Sequence, residues 1–167
     1  MRTVRFVLLA IAFTSCVSPA TPSEPKGEPT PESPPIAAPS VGVVRIVDGD
    51  TIVVAIGGPR GTKVRLIGID TPERNQCFYQ AGTERMRALV AGKTVRLVKD
   101  VSETDRYGRL LRYVYAGAVF VNAVMVEEGF ANAATYPPDV AHAADFVALA
   151  RGARLAKRGL WAGGCAA

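Results

Sequence analysis

The sequence predicts an α+β fold built on a small closed or nearly closed sheet, and three observations carry that prediction. Short runs rich in β-branched residues recur at close spacing, among them "VGVVRIV" (41–47), "TIVVAI" (51–56) and the strand that "VRLIGIDTPER" (64–74) begins. Turn residues, chiefly Gly and Asp, bound these runs. Stretches with apolar residues at helical intervals fall between and after them, giving the order β-β-β-α-β-β-α-α.

Each element has a local cause. "DGD" (48–50) separates the first two runs, and Asp-Gly between apolar runs signals a hairpin. "GGPRG" (57–61) is a second turn, so the third run completes a meander. In "FYQAGTERMRALVA" (78–91), Met86, Leu89 and Val90 recur at helical intervals, and Gly92 can cap the end. "KTVRLVKD" (93–100) returns to strand character, and "DRYGRLLRYVYA" (105–116) opens as a turn and becomes a strand. "VNAVMVEEG" (121–129) is a second helix ending at Gly129. The third, over 139–159, is expected to bury Val140, Ala144, Val147, Leu155 and Leu160 along one face and to stop before Trp161. A five-stranded OB-type β-barrel with three α-helices is the architecture of this size.

The ends of the chain read differently. Residues 1–16 begin with Arg2 and Arg5, continue into the apolar "FVLLAIAF" and reach "TSC". This is the shape of a secretory signal, with an apolar run too short to cross a membrane as a helix. A Cys directly after small residues also resembles a bacterial lipoprotein signal, which makes Cys16 the expected lipidation site and places the protein at the cell-envelope membrane. A plain cleaved signal, releasing a secreted protein, is the alternative. Residues 17–40 hold eight of the chain's 12 prolines and a single large aliphatic side chain, Ile36. Such a segment buries too little apolar surface to offset the entropy of ordering, so a disordered Pro-rich tether is expected. The folded domain is expected over 41–167.

Residues 1–40 contain three cations and three acids, so the whole net charge of +5 belongs to that domain. A moderately basic exported domain suits an anionic partner such as nucleic acid. A monomer is expected.

Asp48 and Asp50 flank Gly49 in the first hairpin, and Asp70 and Glu73 follow the third strand. Neighbouring strands of a meander bring these ends together, and carboxylates so placed repel one another unless a cation lies between them. An all-oxygen set without His or Cys suits a hard cation, Ca²⁺ before Mg²⁺, with the Thr71 backbone carbonyl as a further ligand beside Asp50 and Asp70. Arg65 within its strand and Arg109 after Tyr107-Gly108 offer planar forks that match phosphate oxygens. Two such forks and a metal facing one phosphate would neutralise the charge that develops during phosphodiester hydrolysis, with Glu73 as the base orienting water. Strict alternation places Arg65 and Asp70 on opposite faces of one strand, so this arrangement requires a bend or bulge near Gly68.

"DGDT" (48–51), "VRLIGIDTPE" (64–73), "DRYGR" (105–109), "VNAVMVEEGFA" (121–131) and "GLW" (159–161) together resemble the staphylococcal nuclease, or thermonuclease, family. The resemblance implies an OB-fold barrel with three helices and Ca²⁺-dependent cleavage of DNA and RNA, leaving 3′-phosphates. It implies Asp50, Asp70 and the Thr71 carbonyl as metal ligands, Glu73 as general base, and Arg65 and Arg109 on the scissile phosphate. Arg106 and Tyr107 match positions that contact the nucleotide's other phosphate. Tyr136 approximates a nucleotide-stacking position, where the family's type member has two tyrosines. The loop after Glu73 is shorter than in that type member.

Two other readings compete. A non-catalytic nucleic-acid-binding OB module predicts loss of one or more of these carboxylates, and a structural metal-binding domain of the envelope has no use for Arg65 and Arg109. His142 is expected to be a surface or partly buried residue without a catalytic role, and the cations at 151, 154, 157 and 158 a solvated helix face. With Cys16 assigned to processing, Cys77 and Cys165 remain as an even pair in an exported domain, where a disulfide is expected. Two Cys and one distant His are too few for zinc.

Overall fold

The structure, a computed structural model, describes residues 40–163. The signal segment, Cys16, the tether up to residue 39 and Cys165 lie outside the described residues.

Strands β1 (Ser40–Ile46), β2 (Thr51–Val54) and β3 (Thr62–Leu66) form the expected antiparallel meander. β1 also pairs antiparallel with β5 (Thr94–Val98), which pairs with β6 (Leu110–Ala116). A parallel pairing of β6 with β3 closes the five-stranded barrel. β1 reaches both neighbours because its register shifts between Val43 and Arg45, so Ser40–Gly42 face β5 and the rest faces β2. The residue skipped by the shift, Val44, is exposed, and such a bulge supplies the bend a closed sheet needs.

Two short additions fall below what a sequence pattern detects. β4 (Ile69–Asp70) pairs with β8 (Asn132–Ala133), and β7 (Val119–Phe120) pairs antiparallel with the end of β6. Helix α1 (Tyr79–Val90) buries Met86, Leu89 and Val90 as its spacing predicts, and α2 (Val121–Glu127) buries Val121, Met125 and Val126. Each fully buried aliphatic side chain contributes about 2 kcal/mol of transfer free energy.

The third helix corrects the sequence reading. α3 spans Ala143–Leu155 rather than beginning near 139, because the Asp139 side chain accepts loop amides instead of starting the helix. Its buried face is Phe146 and Ala153, with Leu149 and Ala150 half-covered. Val147 and Leu155, expected inside, are 56% and 77% exposed, and Val140 precedes the helix on the surface. The Phe146 ring decides the phase: it lies against Gly68, where an added Cβ would meet Cε2 at 2.4 Å.

Gly68 is also where the third strand breaks. With φ +79 it adopts a conformation that L side chains rarely take, and it separates β3 from β4. Buried Asn122 braces the break, donating from Nδ2 to the Ile67 carbonyl (2.8 Å) while its Oδ1 accepts the Val114 amide (2.9 Å). The bend required on alternation grounds is present.

Candidate active site

That bend lets Arg65 and Asp70 meet. Arg65 Nη2 donates to Asp70 Oδ1 at 3.0 Å, and Nη1 lies 3.1 Å from Asp50 Oδ2. Nη1 also donates to the carbonyls of Leu66 (3.1 Å) and Ile69 (2.9 Å), so backbone on both sides of the turn fixes the guanidinium. The cation between the two carboxylates is thus a side chain of the protein itself.

Asp50 reaches this position from the β1–β2 hairpin. Its carbonyl accepts the Leu66 amide, and Thr51 stands opposite Arg65 in the β2–β3 register. Asp50 Oδ2 accepts both the amide (3.0 Å) and the hydroxyl (2.9 Å) of Thr71, and Oδ1 accepts the Thr51 hydroxyl (3.0 Å). Gly49 permits the close approach, since a Cβ there would lie 2.9 Å from the Thr71 side chain. Asp48 turns inward to accept the Asp50 amide (3.1 Å). Burial, and then the neighbouring Asp50 carboxylate, push the Asp48 carboxyl above the usual carboxylate range.

Arg109 enters from the other side. Its Nη1 donates to the Thr51 hydroxyl at 3.4 Å, linking it through Thr51 to Asp50. The Asp105 carboxylate holds it in place, accepting Arg109 Nε (2.6 Å), the Arg109 amide (3.0 Å) and the Tyr107 amide (2.9 Å). Burial pushes the Asp105 carboxyl up, but these hydrogen bonds outweigh it and hold the group below its ordinary range.

Arg65 and Arg109 line one cleft of about 470 Å³ with Arg106, Tyr107, Tyr136 and Asp139. Arg106 Nη2 donates to the Tyr107 hydroxyl at 2.6 Å, and its guanidinium lies 4.8 Å from the Tyr107 ring centre. Tyr107 and Tyr136 are 67% and 65% exposed, so both rings are open to a ligand. A larger hollow of about 950 Å³ runs along Arg74–Ala81, but its described lining is one continuous stretch of chain and gathers none of these groups.

Glu73 does not join the cluster. Its side chain is exposed and, among the described residues, has no hydrogen-bond or ion-pair partner; only its backbone is fixed, by a reciprocal pair with Gln76. Cys77 in the same loop is not free. His142 sits just before α3 rather than within it, packed edge-on against Tyr113 at 4.6 Å, away from the cleft. The cations at 151, 154, 157 and 158 are exposed, as expected of a solvated face.

The donors that could hold a metal are Asp50, Asp70 and the backbone at Thr71. Among the described residues no three His, Cys, Asp or Glu side chains gather as a metal cluster. The set is all hard oxygen, which fits Ca²⁺ and not a soft metal, but Arg65 already shares both carboxylates. Thr71 meets Asp50 through its amide and hydroxyl.

The family described as staphylococcal nuclease homologue matches residues 63–163, more than half of the chain, a range that includes Arg65, Asp70, Thr71, Glu73 and Arg109 but not Asp50 and Thr51. The chain belongs to the staphylococcal nuclease family. An Escherichia coli O157:H7 protein named "Uncharacterized endonuclease" is 41% identical over 121 residues, covering 71% of this chain and 74% of that protein. The thermonuclease of Staphylococcus hyicus is 33% identical over 125 residues, 71% of this chain and 73% of its own. The micrococcal nuclease of Shigella flexneri is 38% identical over 130 residues, 71% of each.

Three residues around this staphylococcal nuclease-type site escaped the sequence reading: Thr51, Asp105 and Asp139. Asp105 had a local signal, since Asp four residues before Arg in "DRYGR" pairs across a turn. Thr51 and Asp139 act on partners far along the chain, and no local pattern marks them.

Proposed function

We propose that this protein is a Ca²⁺-dependent nuclease that hydrolyses phosphodiester bonds of DNA and RNA and leaves 3′-phosphates. The observation that carries the reading is the convergence of Arg65 and Arg109 on Asp50 and Thr51 at the wall of one cleft. Names borne by relatives support it: endonuclease, thermonuclease and micrococcal nuclease.

Arg65 and Arg109 bind the scissile phosphate and neutralise charge growing on its non-bridging oxygens. Glu73 accepts a proton from the attacking water, the new phosphorus–oxygen bond forms, and the bond to the 5′ oxygen breaks. That oxygen departs as a hydroxyl after protonation from solvent. Asp50, Asp70 and the Thr71 carbonyl would hold the Ca²⁺, which would supply positive charge to offset that of the phosphate. Arg106 and Tyr107 contact the nucleotide's other phosphate, and Tyr136 stacks on a base.

Incubating the full chain with plasmid, single-stranded DNA and RNA, in Ca²⁺ or in excess chelator, tests this. Cleavage that stops on chelation is expected, with Mg²⁺ a poor substitute. Full activity in chelator would remove the metal from the account. Binding without cleavage is the second reading, favoured by the exposed Glu73 carboxylate, which has no partner among the described residues; a chain that binds all three nucleic acids and cuts none would establish it.

The same proposal includes export, lipidation at Cys16 and a Cys77–Cys165 disulfide. Cys16→Ser should move the protein from the membrane to the soluble fraction, whereas a wild type already soluble would indicate a plain signal peptide. A bridge between Cys77 and Cys165 would pin the C-terminal tail beside the Glu73 loop. Intact-mass analysis after alkylation of the non-reduced native protein should find neither cysteine modified, and two alkylated thiols would rule the bridge out.

A further inference from the structure

Arg106, Tyr107 and Tyr136, which line the cleft together, lie outside the strands and helices of the fold. Arg106 and Tyr107 lie in the connection between β5 and β6, and Tyr136 in the connection between β8 and α3. Two carboxylates join these connections reciprocally. Asp139 Oδ1 accepts the amides of Val101 (3.0 Å) and Ser102 (2.8 Å). Asp100 Oδ2 accepts the Ala141 amide at 2.9 Å and the Tyr113 hydroxyl at 2.9 Å, tying the same pair of segments to the barrel. Asp139 also donates its own amide to the Tyr136 carbonyl (3.1 Å), closing the turn that carries the tyrosine.

Asp139 is only 7% exposed although it borders the cleft, and both amides it accepts are fixed by one oxygen. A carboxylate beside a phosphate-binding cleft repels the phosphate, a cost that a positioning role can offset. Here its side chain holds the β5–β6 connection while its own amide closes the turn that carries Tyr136.

We propose that Asp139 is a positioning residue that fixes Tyr136 opposite Arg106 and Tyr107, and so sets affinity for the substrate strand without entering the chemical step. This rests on the nuclease reading. Removing a charge-assisted acceptor for two amides loosens the segment at Val101 and Ser102 and the turn that carries Tyr136, so substrate binding weakens; Arg109, farther along the same β5–β6 connection, stays held by Asp105 and Thr51, and Arg65 by the carbonyls of Leu66 and Ile69. Asn retains an acceptor oxygen at the same distance and separates this role from simple repulsion.

The experiment is steady-state cleavage of a short single-stranded oligonucleotide, with hydrogen exchange at Val101 and Ser102, on the full chain. Asp139→Ala should raise KM about tenfold with kcat within about twofold, and the two amides should exchange faster. Asp139→Asn should restore both readouts. Asp139→Glu, which keeps the charge but misplaces the oxygen, should behave as Ala does and replaces it if the Ala variant fails to fold. Adding Tyr136→Ala to Asp139→Ala should raise KM no further. An Asn variant with lower KM than wild type would assign Asp139 to repulsion, and equal KM in all variants, or a fall confined to kcat, would also overturn the proposal. Should wild type cleave nothing, the nuclease reading fails by itself; oligonucleotide binding by fluorescence anisotropy on the same variants then decides the positioning role.

Discussion

Arg65 Nη1 stands 3.1 Å from Asp50 Oδ2, and this contact makes Arg65 the counter-charge of a largely buried carboxylate. The arginine expected to meet a substrate phosphate is engaged by both carboxylates expected to meet a metal. A metal at the proposed site would compete with Arg65 for the same oxygens.

Arg65→Gln should destabilise the chelator-treated protein by about 3 kcal/mol, the usual scale for removing one partner of a buried ion pair. Ca²⁺ should then restore more stability to the variant than it adds to wild type, because the freed oxygens gain a cation. Thermal melts with Ca²⁺ and with chelator read this directly. An equal Ca²⁺-induced shift in both proteins would count against competition at this site.

Glu73→Gln should leave the fold intact, within about 0.5 kcal/mol, because the side chain is exposed and has no described partner. Turnover should fall by about 100-fold or more if the carboxylate is the base. Near-wild-type turnover, measured beside an unchanged melting temperature, would move the base elsewhere.

The Asp105 carboxyl is held below its ordinary range by Arg109 and the Tyr107 and Arg109 amides. A depressed native value means the unfolded chain takes up its proton first as pH falls. Its stabilisation is therefore fully present above about pH 4 and is lost as pH drops through the depressed value. Asp105→Asn should be less stable than wild type at neutral pH, and the difference should shrink on acidification below pH ~4. A difference constant with pH, in urea titrations at several pH values, would show that the charge is irrelevant.

Gly68→Ala should cost about 2–4 kcal/mol, combining a strained backbone with overpacking against Phe146. Activity should fall further than stability alone explains, since the same turn joins Arg65 to Asp70. Urea denaturation and turnover measured on the folded variant separate the two, and a fully stable, fully active variant would show that the turn tolerates a side chain.

The barrel was legible in the sequence because its causes are local. β-branched runs, the Asp-Gly hairpin and the helical spacing of Met86, Leu89 and Val90 act over a few residues, and the break at Gly68 followed from alternation between Arg65 and Asp70. Other features needed the fold. The phase of α3 differs from the face the sequence suggests because Val, Leu and Ala lie on several of its faces; Phe146 wins because Gly68 leaves room for a ring. Two-residue strands β4 and β8 form because the fold brings together two segments far apart in the chain, not because either has strand character alone. The engagement of Arg65 by Asp50, the Thr51–Arg109 contact across 58 positions and the grip of Asp139 on Val101 and Ser102 are set by closure of the barrel. A sequence names the charged groups; which oxygen each guanidinium reaches depends on contacts between segments far apart in the chain.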